Sequence, residues 1–365
     1  MKPLDLGRMF RIDVPLLLLV LAIASIGLGL LYSASNADIS MVIRQCVRLG
    51  VGLVVMLLLA QLPPGLFRRW TPQLYILGLI MLVLVLVMGV SAKGANRWLD
   101  LPLLPRFQPS ELLKLSVPMM LAWYLSKRSL PPGPWPILGA FILLSLPVAM
   151  IGMQPDLGTA ILVAAAGASV IFLAGLPFKY IVTLLISSVP CAWLMWRFLM
   201  HDYQKQRVLT FLDPEREPLG AGWNIIQSKI AIGSGGVHGK GWLQGTQSHL
   251  DFLPESSTDF IVAVLAEEWG FYGMMVLLVI YLLLFIRGIQ IALRAQDMYQ
   301  KLLAGALIFT LFVYLFVNIG MVCGLLPIVG VPLPLVSYGG TSMVTLLAGL
   351  GILMSIKTHK RFMSD

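Results

Sequence analysis

The chain has 365 residues, 58% of them hydrophobic and 12% charged, with a formal net charge of +9 and a mean hydropathy of +0.87. That leaves too little polar surface to cover a soluble globule of this size, so the composition defines an integral membrane protein and excludes a soluble enzyme or binding module. The basic excess is spread over short connections and forms no stripe with interleaved aromatics, which argues against nucleic acid as a partner.

Apolar runs long enough to cross roughly 30 Å of hydrocarbon recur ten times. They span 14–34, 43–61, 73–90, 110–125, 136–153, 157–175, 180–199, 262–286, 302–323 and 340–356. The expected fold is therefore an all-α polytopic membrane protein of about ten transmembrane helices, a single domain over residues 1–365. The first run is too long for a signal-peptide core and is read as a retained helix. With the N-terminus inside, the inner segments hold 14 of the 26 Lys and Arg, among them Arg8, Arg11, Arg68, Arg69, Arg287 and Lys301. That excess is the positive-inside pattern, and an even helix count returns the C-terminus to the same side, so both termini are expected in the cytoplasm. Cys46, Cys191 and Cys323 lie in or beside apolar runs, are odd in number and suggest no disulfide framework or zinc spacing.

The polar residues gather on the expected outer side. In Lys93 to Lys114 (KGANRWLDLPLLPRFQPSELLK), Arg97, Trp98, Arg106 and Gln108 put cations and an aromatic at the interface, where snorkelling and an aromatic belt explain them equally well. Ser110 reads as a helix cap, with Glu111 at the positive end of the dipole and Lys114 one turn on. The same Glu and Lys enter the membrane on one stripe and need a cavity, in which the Lys can hold a phosphate that the Glu orients. In QPDLGT, Gln154 to Thr159, Asp156 is a candidate N-cap.

Between His201 and Asp259 lies the one long polar connection, about residues 200–260, with seven of the 17 acidic residues and enough apolar content for an ordered cap. Arg207, Lys205 and Lys240 add cations there. The glycine-rich run Gly233 to Gly245 fails the spacing of a phosphate-binding P-loop and of GxGxxG, which leaves an anion cup or plain turns as open readings. The four histidines have no metal-ligand spacing, so no structural metal is expected.

The segment FLPESSTDFIVAVLAEEWG, Phe252 to Gly270, places acids at the mouth of an apolar helix. Thr258 reads as its N-cap with Asp259 in the first turn. On a 100° step Glu267 falls within about 80° of Asp259 while Glu268 points opposite, so Glu267 is expected to share the cavity of Asp259. Farther on, GLLPIVGVPLPLVSYGGTS (Gly324 to Ser342) is too broken for a helix and too apolar for a solvated loop. Irregular backbone at membrane depth lines a cavity or is buried in protein, so this segment is expected to wall a site. The helix middles are poor in ionisable groups, which favours chemistry at the membrane surface over coupled transport.

Five of these motifs, RFQPSELLK, QPDLGT, GSGGVHGKG, STDFIVAVLAEEWG and GLLPIVGVPLPLVSYGGTS, stand in an order and spacing that resembles the SEDS family (shape, elongation, division and sporulation) end to end. Leu335 and Thr341 depart from common family residues at positions not expected to be catalytic. The resemblance implies a bacterial inner-membrane glycosyltransferase that polymerises lipid II into glycan strands for cell elongation. It also implies a class B penicillin-binding protein as crosslinking partner within the elongation machinery, and membrane lipids as surroundings. It makes Asp259 the essential acid, with Glu111, Lys114 and Asp156 lining the central cavity. Substrate contacts are expected from Arg97, Arg106, Gln108, Arg207, Glu255, Ser257 and Ser337. No cofactor is required by this reading; a divalent cation, magnesium or manganese, bridging a pyrophosphate and Asp259 or Glu111 is left open. The rival readings are a lipid II flippase and a non-catalytic scaffold for the penicillin-binding protein.

Overall fold

The computed structural model describes residues 11–92, 95–98, 108–154, 156–200, 205, 209–210, 221–249, 252–253 and 255–359. Ten helices coincide with the ten apolar runs. They are α1 (Val14–Ala34), α2 (Ile39–Gln61), α3 (Pro64–Met88), α4 (Pro109–Leu125), α5 (Pro134–Met153), α6 (Leu157–Leu173) and α7 (Phe178–Leu194), then α10 (Ile261–Leu293), α11 (Met298–Val322) and α12 (Thr341–Thr358). Seven of them are long and apolar enough to cross a membrane by themselves. The other three, α4, α6 and α7, have 17 residues each, about 25 Å of helix. Leu18, Val47, Leu58, Ile80, Ile186 and Leu282 are exposed on the outside of the bundle, a surface that only hydrocarbon satisfies.

Between α7 and α10 the connection carries α8 (Ala221–Gly235) and the single turn α9 (Thr246–His249). One short addition to the helical expectation follows α3. The helix stops at Met88, and β1 (Val90–Ala92) pairs antiparallel with β2 (Ala95–Trp98). The extended backbone of Gly89, at φ −65° and ψ 140°, turns the chain out of the helix.

Helix α4 is the hub, with extensive contacts to α3, α5, α6, α11 and α12. Its burial all round explains how Ser110, Glu111, Lys114 and Ser116 come to lie inside the bundle. Helix α12 packs along α2, and α10 packs against α1, α8 and α11. Among the described residues α7 has extensive contact only with the π-helical turn, Met195–Leu199, that continues it. At the bundle end away from the acidic motifs, Asp13 caps α1 through Leu16 N–H (3.1 Å) and accepts two bonds from Arg287, at 2.6 and 3.1 Å. That bidentate contact pins α1 to α10.

The 33 residues of α10 are not one rod. At Gly270 the backbone takes φ 63° and ψ −157°, a conformation that costs little only for glycine. There the glycine-rich run docks by its main chain. Lys240 N–H donates to Glu267 O (3.0 Å), Gly241 N–H to Glu268 O (2.9 Å), and Phe271 N–H to Gly236 O (3.0 Å). A Cβ on Gly235, Gly239 or Gly270 would collide with the facing backbone. The run is therefore a backbone joint: the amides of Gly239, Lys240 and Gly241 are already spent on carbonyls, which removes the anion-cup reading.

Candidate functional site

A polar cavity of about 200 Å³ opens where α4, α6 and the irregular segment before α12 meet. From α4 and its entrance come Gln108, Glu111 and Lys114; from the start of α6 come Asp156 and Thr159. Gly330 to Pro332 and Gly340 to Ser342 supply backbone and small side chains, and Trp98 stands at one side. The expectation that the Gly324 to Ser342 segment walls a site holds.

Each polar side chain has an identifiable support. Lys114 and Glu111 form an ion pair of 2.7 Å with side chains 6% and 5% exposed. Burying two charges carries a desolvation penalty of several kcal/mol per ion that a single short contact offsets only in part. An ion pair kept at that expense beside a cavity points to a charge used there. Asp156 is the N-cap of α6 through Thr159 N–H (3.3 Å), as expected, and its second oxygen accepts from Gln108 Nε2 (2.9 Å). Gln108, and not Ser110, holds the N-cap position of α4, because Pro109 occupies the first turn; no side chain caps this helix. Gln108 thus links the starts of α4 and α6 across the cavity.

Asp259 lies in a turn and not in the first turn of α10. The helix begins at Ile261 with Phe260 as its N-cap residue. Thr258 is not the cap: its hydroxyl donates to Glu255 Oε2 (2.7 Å), while Thr258 and Phe260 N–H close the turn on Glu255 O. Glu255, at φ 61°, carries the left-handed corner that aims the turn. The Asp259 carboxylate reaches Gly330, where a Cβ would stand 3.6 Å from Oδ2. Since Gly330 lines the cavity, the acid sits at its edge.

The turn is held from three sides. Asn318 of α11, fully buried, donates both amide hydrogens, to Asp259 O (2.9 Å) and Val331 O (2.7 Å). Ser337 Oγ donates to Thr258 O (2.6 Å) and accepts from Leu333 N–H (2.8 Å), and Tyr338 N–H donates to Ser257 O (2.9 Å). Gln45 of α2 donates to Ser337 O (3.1 Å), and the Arg48 guanidinium lies 4.5 Å from the centre of the Tyr338 ring. Ser257 and Ser337, nominated as substrate contacts, act in the structure as clamps between the acid's turn and the wall.

Glu267 is placed elsewhere. It is fully buried and accepts from Lys240 Nζ (2.6 Å), Thr246 N–H (2.8 Å) and Gln247 N–H (3.1 Å), so it anchors the 240–249 segment and does not line the cavity. The angular argument assumed a helix running through Asp259, and the turn breaks that register. Glu268 accepts from Ser33 of α1. Arg106 and Arg207 lie outside the described residues, and Arg97 falls in β2 with its side chain outside them. Asn318 and Gln45 were missed; each is a lone amide inside an apolar run, which is the available signal. Tyr314, whose ring centre is 5.3 Å from Lys114 Nζ, was missed as well.

The described residues do not fit a resident divalent cation. No group of three or more His, Cys, Asp or Glu converges among them, and Glu111 Oε1 is bound to Lys114, whose ammonium would repel an added cation.

A family model described as the cell cycle protein FTSW_RODA_SPOVE matches residues 9–362. The chain is 52% identical over 357 residues to "Peptidoglycan glycosyltransferase MrdB" of Escherichia coli strain K12, covering 97% of this chain and 95% of that one. It is 33% identical over 373 residues to "Probable peptidoglycan glycosyltransferase FtsW" of Geobacter metallireducens, with 98% of each chain covered. Among solved structures, a chain from work on polymerization and crosslinking by a peptidoglycan synthase complex superposes with a TM-score of 0.83 at 34% identity, covering 95% of this chain and 97% of that one. The rod shape determining protein RodA of Thermus thermophilus superposes with a TM-score of 0.71 at 32% identity, covering 94% and 96%. An end-to-end match in sequence and fold, with residues of RFQPSELLK, QPDLGT and the Gly324 to Ser342 segment lining one polar cavity, makes the chain a member of the FtsW, RodA and SpoVE family, the SEDS proteins.

Proposed function

We infer that the chain is a peptidoglycan glycosyltransferase of the bacterial inner membrane that polymerises lipid II for wall elongation. The observation that carries this reading is one cavity offering a carboxylate at its edge and a buried ammonium within, in a family whose curated members bear that activity in their names. The ten helices and the 200–260 connection act as one unit, with both termini in the cytoplasm and the cavity facing outward, as the distribution of Lys and Arg supports.

Asp259 acts as general base on the acceptor 4-hydroxyl, a role typically worth about 10² to 10⁴ in rate. The hydroxyl oxygen forms its bond to the donor's anomeric carbon as the bond from that carbon to pyrophosphate breaks. The proton passes to Asp259, and the electron pair leaves with undecaprenyl pyrophosphate. Direct displacement of an α-linked pyrophosphate gives a β-1,4 bond with inversion and needs no covalent sugar intermediate. Lys114, with Arg106, Arg97 and Arg207, neutralises charge developing on the pyrophosphate. Glu111 holds Lys114, and Gln108 and Asp156 fix the opposite wall. A divalent cation, if used, arrives with the pyrophosphate. An apolar groove of about 920 Å³ among α6, α10 and α11 has room for a polyprenyl chain. A class B penicillin-binding protein is the proposed crosslinking partner, since a structural relative comes from a synthase complex.

The test is glycan formation from labelled lipid II by the purified chain, with and without that partner. Asp259→Asn is expected to abolish polymer while leaving the protein folded. Polymer at the native rate from this variant would sink the base assignment.

A further inference from the structure

Along α11, Thr310, Tyr314 and Asn318 follow at intervals of four residues, so they form one polar stripe on a helix that is apolar elsewhere beyond Lys301. Asn318 braces the turn of Asp259. One turn away, about 6 Å along the axis, Tyr314 meets Lys114. We propose that Tyr314 is a positioning residue that holds the Lys114 ammonium in register with Asp259, so that α11 aligns base and cation from one face. This rests on the reading that Lys114 neutralises the leaving pyrophosphate.

The geometry supports it on both sides of the lysine. An ammonium has three N–H donors. Glu111 Oε1 takes one at 2.7 Å, and the Tyr314 ring, centred 5.3 Å from Nζ, attracts the cation through its face, an interaction strengthened by burial. Lys114 borders two spaces, the polar cavity of about 200 Å³ and a small cavity of about 30 Å³. Tyr314, Thr310 and Thr345 line the small one. Without the ring in its path, the flexible lysine stem could drop into that space and withdraw its charge from the substrate.

The Tyr314 hydroxyl has its own place in this arrangement. Tyr314 is 1% exposed, and its hydroxyl faces the Lys114 ammonium, a second polar contact beside Glu111.

The experiment is a double-mutant cycle on the full chain in nanodiscs, with initial rates of glycan synthesis followed against labelled lipid II concentration. Tyr314→Leu should lower kcat about tenfold with KM within about twofold, since the ammonium matters most as charge develops. Tyr314→Phe keeps the ring and removes only the hydroxyl's contact to the ammonium, so it should lower kcat about threefold. In a Lys114→Gln background both losses should shrink below about twofold, because the positioned group is gone. Equal losses in both backgrounds, or native kcat in folded Tyr314→Leu, would overturn the proposal. Should Tyr314→Leu fail to fold, Tyr314→Phe decides: a loss confined to the native background supports the role, and equal or no loss overturns it. Native kcat in Lys114→Gln would instead overturn the reading of Lys114 itself.

Discussion

Asn318 is the most economical place to perturb the acid without touching it. One amide group satisfies two carbonyls, Asp259 O at 2.9 Å and Val331 O at 2.7 Å, and so staples the Asp259 turn to the cavity wall. Replacing it with leucine keeps the branching and the number of heavy atoms and removes both donors. A buried carbonyl left without a donor costs about 1–3 kcal/mol. Val331 is 1% exposed, so its carbonyl carries that cost in full, whereas Asp259 lies in a half-buried turn that water can reach. The expected loss of stability is about 2–4 kcal/mol. Released on one side, the turn relaxes, and a displacement near 1 Å costs up to about 10²-fold in rate. Asn318→Asp keeps the shape but sets an acceptor against two acceptors, so it should be worse than leucine. Thermal unfolding in detergent and lipid II polymerisation at saturating substrate read the two effects. Asn318→Leu with native unfolding temperature and native rate would refute the argument that α11 holds the acid in place.

Two further outcomes follow from other contacts. Glu267→Gln keeps the outline of the side chain but leaves Lys240 without its carboxylate; because Lys240 is still 27% exposed, the expected loss is about 1–3 kcal/mol, visible as a lower unfolding temperature and faster proteolysis within 240–249. Unchanged protease resistance would count against the anchor. His359 follows α12, close to Arg11 and to the carbonyls of Ser355 and Gln61, and burial first, then the Arg11 charge, lowers its pKa below the ordinary value near 6.5. The unfolded chain then takes up this proton first on acidification, so stability should fall as pH drops from about 6.5 toward the lowered value and stay flat above. Thermal unfolding across pH 5 to 8 should show that slope in the native chain and less of it in His359→Gln; an identical slope would remove His359 as its source.

The ten helices were legible because hydrocarbon thickness imposes a length that sequence can show directly, and every helix overlaps its apolar run, though α3 begins nine residues earlier and α10 ends seven later. The cavity's main residues, Glu111, Lys114 and Asp156, were legible for a related reason: charge at membrane depth needs a partner or a space. What escaped depended on register. Glu267 was assigned to the wrong neighbour because the helix starts two residues after Asp259, and a turn of unknown pitch cannot be carried through a 100° step. Ser337 has the composition of a ligand, yet its hydroxyl is consumed by backbone at both ends. Asn318 and Tyr314 were hidden by their surroundings, since neither is charged and both sit in the middle of an apolar run. The glycines of the 233–245 run looked like ligand chemistry, when their missing side chains serve to let two main chains touch.

The break at Gly270 divides α10 into mechanically different parts. The nine residues from Ile261 to Trp269, about 13 Å long, belong with the docked glycine run as much as with the membrane rod below. At one end this short piece is hydrogen-bonded to the 236–241 backbone; at the other it continues directly into the turn of Asp259. It therefore joins the extramembrane connection at one end to the Asp259 turn at the other. The path from that connection to the carboxylate runs through two turns of helix and bypasses the membrane-embedded part of α10.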